Sequence, residues 1–418
     1  MAAVGQLSNA YPLGSRLTED GSLEVGGCDA LELAREFGTP CYVVAEDDLR
    51  ARARAFLSAF RARTERFDVL FATKAFPCTA VLRVLREEGL GCDVASGGEL
   101  TLALAAGFDP VRIVLHGNAK SEEELRLALD AGVGHVVLDN LDELERLERL
   151  AAGRPQRVML RVTPGVRGNT HDKISTGQAD SKFGFSFGDA RRAIERLGAS
   201  EALELAGLHM HIGSQILELE PFRSAVEAIA ELGTFETYNL GGGLGVSYGR
   251  GEEPPRIEDY VTVKVDAVRE TFGEEACILD EPGRALTANA GLTLYSVESV
   301  KRNVSTWVAV DGGMSDNLRP MLYGARYEAE VVGRFGGAAP CRLAGKHCES
   351  GDVIVDEVML DDPRAGDVIV TPATGAYGFS MANNYNGVPR PPVVFVRDGD
   401  ARVVVRRETY EDLLARDV

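Results

Sequence analysis

At 418 residues the chain exceeds one ordinary domain of about 100 to 200 residues, although a single α/β barrel takes roughly 250, so two domains are expected. Hydrophobic residues at 45% and charged residues at 26% exclude a disordered, collagen-like or coiled-coil chain. Lys plus Arg number 45 against 64 Asp plus Glu, and the resulting charge of −19 repels phosphate backbones and anionic lipid, which disfavours nucleic acid and membrane surfaces as partners. No run approaches the roughly 18 apolar residues of a membrane span, and the first basic residue is Arg16, so neither a span nor a signal peptide is expected and the location reads as cytoplasmic. Seven cysteines with no C-x-x-C pair read as reduced thiols, most of them buried.

In chain order, residues 1–40 contain one short candidate strand, Leu23 to Gly26, and are expected to join a β domain. Between about residues 69 and 283, within an expected domain of residues 41–285, β-rich runs alternate with amphipathic helical stretches, the pattern of a parallel sheet with crossover helices. The runs are Val69 to Ala75, Gly91 to Ser96, Arg112 to Gly117, His135 to Asn140, Arg157 to Val162, Leu205 to Gly213, Thr237 to Gly243 and Cys277 to Gly283. Three of them flow into helix-start signals, Ser96 with Glu99, Ser121 with Glu124 and Asn140 with Glu143, where side-chain oxygens can satisfy orphan backbone N–H groups. Eight β/α units closing on themselves predict an α/β TIM barrel. Val246 to Tyr260, rich in Gly, Glu and Pro, reads as a surface loop. Residues 286–418 carry β-rich runs without regular helices, at Trp307 to Val310, Tyr327 to Val332, Asp352 to Leu360, Asp367 to Thr371 and Pro392 to Arg407, the last a hairpin about Asp398-Gly399. They predict a separate, all-β antiparallel domain.

Polar residues and glycines gather at the C-terminal ends of the barrel runs, the face where barrels carry their chemistry. Lys74 ends the first, where desolvation would lower its pKa and favour a nucleophilic amine; a surface lysine capping a strand is the plainer reading. His209 and His211 are two apart on a strand, so both can point into the barrel mouth, with His209 the better candidate for a buried structural histidine. Gly241-Gly242-Gly243 follows the seventh run, either as an anion cradle or as a plain turn. Glu281-Pro282-Gly283-Arg284 ends the eighth, where the carboxylate could hold a cationic ring nitrogen and the arginine an anion, or both could serve in salt bridges. Together these are the parts that pyridoxal 5'-phosphate needs: a lysine to bond the aldehyde, a ring to stack on, glycines and Ser214 for the phosphate, and an acid for the pyridine nitrogen.

The sequence resembles the diaminopimelate decarboxylases, within the barrel-fold pyridoxal-phosphate decarboxylases that include the ornithine and arginine enzymes. The resemblance rests on Phe71-Ala-Thr-Lys-Ala75, Cys92-Asp-Val-Ala-Ser-Gly-Gly-Glu-Leu100, His116-Gly-Asn-Ala-Lys120, Ile174-Ser-Thr-Gly177 with Ser181-Lys-Phe-Gly184, His211-Ile-Gly-Ser214, Glu281-Pro-Gly-Arg284, Asp311-Gly-Gly-Met-Ser-Asp-Asn317, Cys348-Glu-Ser350 and Gly375-Ala-Tyr-Gly-Phe379. It implies Lys74 as the residue that carries the cofactor and His211 as the one stacked on its ring. Ser214, Gly243 and Arg284 would lie near the phosphate, with Tyr377 a further contact. It also implies Cys348 as the acid that protonates the substrate carbon, reaching the site of the other subunit in a homodimer with shared active sites. Taken alone Cys348 would be an inert buried thiol, and His347-Cys348-Glu349 is too short to suggest a metal site, so no metal is expected.

By the same resemblance Arg319, Tyr323 and Glu349 contact the substrate, with Arg284 and Tyr377 beside them. Diaminopimelate has an amine and a carboxylate at its far end, so an arginine facing the carboxylate and a glutamate facing the amine would reject ornithine, which has only the amine. The implied activity is decarboxylation of meso-diaminopimelate to L-lysine and carbon dioxide. The alternatives are a decarboxylase of another basic amino acid or polyamine precursor, an amino-acid racemase of related fold, or a catalytically dead homologue that binds a partner. Intact Lys74, Glu281 and Cys348 argue against the last. The roles of His116, Asn118 and His171 are left open by the sequence.

Overall fold

The computed structural model describes residues 7–165 and 181–418. The chain divides into two compact units, one of residues 52–245 and 254–285, the other of residues up to Ala51 with 246–253 and 286–418.

The first unit is a closed barrel. Its strands, Phe67–Ala72, Gly91–Val94, Ile113–Leu115, His135–Leu138, Gln156–Arg161, Leu203–His209, Thr237–Asn239 and Cys277–Asp280, pair with their chain neighbours in parallel. The last closes on the first with Ile278 opposite Phe67 and Asp280 opposite Val69. All eight expected runs are strands, but most end earlier than the polar residues suggested. Gly117, Gly213 and Gly241, just past their strands, adopt φ of +121°, +144° and +58°, outside β conformation, and Lys74, His116 and His211 all lie beyond the strand ends. Inward-facing Leu70, Val114, Val137, Met159 and Leu279 fill the barrel as one apolar cluster, so it is a packed core and not a pore. The helix starts form as the side chains predict. Ser121 and Glu124 make a reciprocal capping box, Ser96 Oγ accepts from Glu99 N at 3.2 Å, and Asn140 Oδ1 accepts from Glu143 N at 2.9 Å.

The second unit is built on a nine-stranded sheet whose main path runs Val353–Leu360, Ala339–Ala344, Thr306–Val310, Gly291–Arg302, Cys41–Ala45, Val393–Arg397, Asp400–Val405. It is mixed where an all-antiparallel sheet was expected: Thr306–Val310 runs parallel to Ala339–Ala344, and Cys41–Ala45 parallel to Val393–Arg397. Cys41–Ala45 lies in the middle of this sheet and is buried throughout, so the unit reaches to Ala51 and not only to residue 40. Residues 246–253 belong to it as well; the stretch is a loop as expected, exposed at Arg250 to Glu253 but buried at Val246 to Tyr248, and the chain turns helical from Ile257. Leu23–Val25 forms a small three-stranded sheet with Arg16–Leu17 and Cys28–Asp29. Leu23 and Val25 share a hydrophobic cluster with Val43, Leu292, Leu294 and Val394 of the large sheet. The hairpin turns through Asp398 and Gly399, both with positive φ as a tight two-residue turn requires.

Candidate active site

In the barrel unit the site is assembled from strand ends. Glu281 follows the last strand, buried, and its two oxygens are fully engaged. Oε1 accepts from Asn239 Nδ2 at 2.5 Å and lies 2.7 Å from His116 Nε2, and Oε2 lies 3.2 Å from His209 Nε2. Burial alone would push this carboxyl up, but His116 and His209 outweigh it and hold it well below the usual carboxylate range. His209 is itself pushed down to about 3, chiefly by burial, so near neutral pH it serves Glu281 as a neutral N–H donor. Asp93, buried and 3.5 Å from the same His116 nitrogen, moves the opposite way: desolvation raises it above the ordinary range against the attraction of His116. One imidazole therefore stands between an ionised Glu281 and an Asp93 that favours its proton.

Lys74 lies on a single 3-10 turn, Thr73–Ala75, directly after the first strand, and its side chain is exposed. The expected burial of its amine is thus not found; the turn lifts it out of the apolar run. Its charge still reaches the site, since His211 is pushed well below the usual imidazole range by burial and then by Lys74 and Arg161. The Lys74 turn and the Glu281-to-Arg284 turn are tied together. Ala72 N donates to Pro282 O at 3.2 Å, and a Cβ on Gly283 would stand 3.1 Å from those of Ala72 and Ala75.

The glycine triplet is no plain turn. Gly241 has a left-handed φ of +58°, and a Cβ there would stand 2.5 Å from Met210 O and 2.8 Å from His211 Nδ1; one on Gly242 would stand 2.2 Å from Glu281 O. Only glycine lets His211, the turn and the end of the last strand come this close. Beyond the sixth strand, Ser214 Oγ accepts from Arg284 Nη2 at 2.8 Å and Nε at 3.2 Å, which puts a guanidinium and a hydroxyl together.

In the second unit, Arg319 opens the helix Arg319–Tyr323 and is buried. Its guanidinium lies 4.8 Å from the Tyr248 ring centroid and 5.5 Å from that of Tyr327, and Nη1 donates to the Tyr327 hydroxyl. Among the described residues no carboxylate stands within ion-pair distance of it. Its pKa is raised, although burial opposes this, by Tyr248, Tyr327 and then Tyr377. Tyr377 holds a φ of +66°, an uncommon conformation for a residue with a side chain, which marks a site whose surroundings fix it. The tyrosines packed about the Arg319 guanidinium are Tyr248 and Tyr327, which the sequence did not single out.

Cys348 and Glu349 are exposed, so Cys348 is not an inert buried thiol. Their turn is braced: Cys348 N donates to Asn386 Oδ1 at 2.8 Å, and buried Asp352 accepts from Met314 N at 2.7 Å and His347 N at 2.9 Å and lies 2.7 Å from His347 Nδ1. Sequence reasoning missed Asp93, Asn239, Tyr248, Tyr327, Asp352 and Asn386. Asn239 carried a usable signal, a polar residue ending an apolar strand before the glycines. Tyr248 carried none, lying in a Gly-, Glu- and Pro-rich stretch. His171 and Ile174 to Gly177 lie outside the described residues, and Asn118 is placed only as a backbone acceptor, its O lying 3.4 Å from Asn140 Nδ2. No helix is long and apolar enough to cross a membrane among the described residues.

Residues 46–288 match the family of the pyridoxal-dependent decarboxylase, pyridoxal binding domain, and the chain belongs to the pyridoxal-dependent decarboxylases. Within it the chain is 49% identical to a diaminopimelate decarboxylase of Actinosynnema pretiosum subsp. auranticum, covering 98% of this chain and 95% of that one. It is 47% identical to the Bacillus subtilis enzyme of the same name, covering 97% of each. Among solved structures, diaminopimelate decarboxylase from M. jannaschii in complex with L-lysine superposes with a TM-score of 0.91 at 34% identity over 99% of both chains. By that likeness the chain is a member of the diaminopimelate decarboxylase family.

The residues present fit pyridoxal phosphate. A cradle that any Cβ would fill, the Arg284–Ser214 pair beside it, a buried carboxylate held ionised and an exposed lysine amine each match one part of it.

Proposed function

We propose that the protein decarboxylates meso-diaminopimelate to L-lysine with pyridoxal 5'-phosphate, as a homodimer with shared active sites. Bound, the cofactor ring would draw off the electron pair released when the bond from the α-carbon to its carboxylate breaks. The chain's residues supply the rest. Lys74 offers the amine that carries the cofactor and releases product, and its exposure leaves it open to exchange with a substrate amine. Glu281, kept ionised by His116, His209 and Asn239, would hold a proton on the ring nitrogen. His211, set against Gly241, would face the ring, while Gly241, Gly242, Gly243, Ser214 and Arg284 would hold the phosphate, with Pro282 and Gly283 shaping the turn and Tyr377 a further contact. Cys348 of the partner subunit gives the proton to the α-carbon, from a thiol that its braced turn presents to solvent.

The observation that carries the choice of substrate is Arg319, a buried guanidinium stacked between tyrosines with no carboxylate within ion-pair distance among the described residues. A buried cation left unpaired is costly, and the far carboxylate of diaminopimelate would pair it, with Glu349 taking the far amine and Tyr323 lying nearby. Ornithine and lysine have no far carboxylate to offer.

The reading is tested by carbon dioxide release from the cofactor-loaded protein given meso-diaminopimelate, L-ornithine, L-arginine or L-lysine, with Lys74→Ala as control. Selective, Lys74-dependent release from diaminopimelate is expected. Release from ornithine or arginine would keep the chemistry and discard the roles of Arg319 and Glu349.

A further inference from the structure

Beneath the glycine turn lies a buried charge that the reaction itself does not use. Lys264, on the helix Ile257–Phe272, has 0% of its surface exposed. Its ammonium lies 2.5 Å from Asp280 Oδ1, with the rings of Tyr260 and Phe222 at 4.4 and 5.1 Å. It also donates to the backbone carbonyls of Gly241 at 2.8 Å and Leu240 at 3.2 Å. A buried ion pair is a poor device for stability, since packed apolar residues of the same volume often do as well. Its place is more telling. Both of its anchors adjoin the cofactor residues: Asp280 precedes Glu281 on a strand end, where successive side chains face opposite ways, and Gly241 opens the anion cradle.

The peptide geometry says what such an anchor does. In a planar trans peptide the carbonyl and the following N–H point in opposite directions. The Gly241 carbonyl accepts from Lys264 on one side and from Glu281 N at 3.2 Å, so the Gly242 N–H is turned to the other side. Phe222, one wall around the ammonium, comes within 3.3 Å of where a Gly243 Cβ would be. Glycine cannot hold a turn by its own side chain, and here the restraint comes from below.

We propose that Lys264 is a positioning residue that sets the phosphate-binding face of the Gly241–Gly243 turn from its buried side, held in place by Asp280. This rests on the pyridoxal-phosphate reading of the barrel. A role in stability alone would weaken binding of every ligand alike; a role in orienting the turn weakens binding of the phosphate.

The test compares pyridoxal phosphate with pyridoxal, which lacks the phosphate, by absorbance titration of apoprotein. The variants are Lys264→Met with Asp280→Asn, which removes both charges, and Lys264→Gln with Asp280→Asn, which keeps a neutral donor. Relative to wild type, the methionine variant is expected to lose about tenfold or more in affinity for pyridoxal phosphate and less than about twofold for pyridoxal, and the glutamine variant to recover part of that loss, because a restored donor again orients the turn. Equal losses for both ligands, or no loss, would overturn the proposal. Should the methionine variant fail to fold by circular dichroism, the glutamine variant decides alone: a phosphate-specific loss of about threefold supports the role, and an unchanged ratio of the two affinities sinks it. Wild-type protein that binds pyridoxal phosphate no better than pyridoxal would instead refute the cradle reading beneath it.

Discussion

Nε2 of His116 stands 2.7 Å from Oε1 of Glu281 and 3.5 Å from Asp93, so a single imidazole separates two buried carboxyls whose hold on a proton is shifted in opposite directions. Glu281→Gln keeps the shape and loses the charge. The variant should still bind cofactor but release carbon dioxide about 10²- to 10⁴-fold more slowly, as checked by absorbance and by initial rate. His116→Gln, which removes one of three partners, should cost less than Glu281→Gln; the reverse order would contradict the arrangement.

Gly241→Ala places a Cβ 2.8 Å from His211 Nδ1 and 2.5 Å from Met210 O, at a left-handed φ. Both the strain and the displaced imidazole act on the cofactor end of the barrel. Affinity for pyridoxal phosphate should fall by about tenfold or more, measured by titration of the apoprotein. Gly153→Ala, at a positive φ with open space around its Cβ, is the control for backbone strain and should leave that affinity unchanged.

Arg319→Met keeps much of the apolar stem between Tyr248 and Tyr327 and removes the cation. The loss in kcat/KM for diaminopimelate should be about 10²- to 10³-fold, while turnover of a substrate without the far carboxylate should change little. A uniform loss across substrates would assign Arg319 to the fold instead of to recognition.

Cys348→Ala leaves the barrel residues untouched. Cofactor absorbance should remain as in wild type, with lysine formation slowed about 10²- to 10⁴-fold, read by carbon dioxide release alongside product analysis. Near-normal lysine production would remove Cys348 from the proton transfer.

His135 is pushed down from 6.5 to about 4, chiefly by burial and then by Arg157. The unfolded chain therefore takes up a proton at higher pH than the folded one, so this contribution is intact above about 6.5 and is lost as pH falls toward 4. Its share of the acid sensitivity is on the order of 1 kcal/mol per pH unit in that window. Melting temperatures from pH 7 to 5 should fall less steeply in His135→Gln than in wild type.

Legibility followed the physics of each feature. The eight barrel strands were readable because apolar runs between capped helices repeat, and Ser96, Ser121 and Asn140 all cap as their spacing predicts. The β-rich unit was read less well. Gly291–Arg302, Ala339–Ala344 and Cys41–Ala45 are strands that the sequence did not signal: the first carries charged residues along its outer half, the second begins exposed with a proline inside it, and the third stands alone in the chain, far from the strands it pairs with. Lys74, His211, Glu281 and the glycines stood at strand ends where chemistry is expected. Tyr248 and Tyr327 did not, because what makes them matter is a guanidinium some seventy residues from one of them and eight from the other. Asp93 was visible only inside a family motif; its shared imidazole comes from a different strand.

Closure of the barrel pairs its last strand with its first, so Lys74 and Glu281, far apart in the chain, end adjacent strands joined at Ile278–Phe67. A ribosome would finish most of the barrel before Glu281 could meet the lysine turn. With Lys74 and Glu281 in the cofactor roles proposed for them, capture follows the last and most distant strand pairing, and truncated chains that lack Cys277–Asp280 are expected to stay colourless however much helix they have formed.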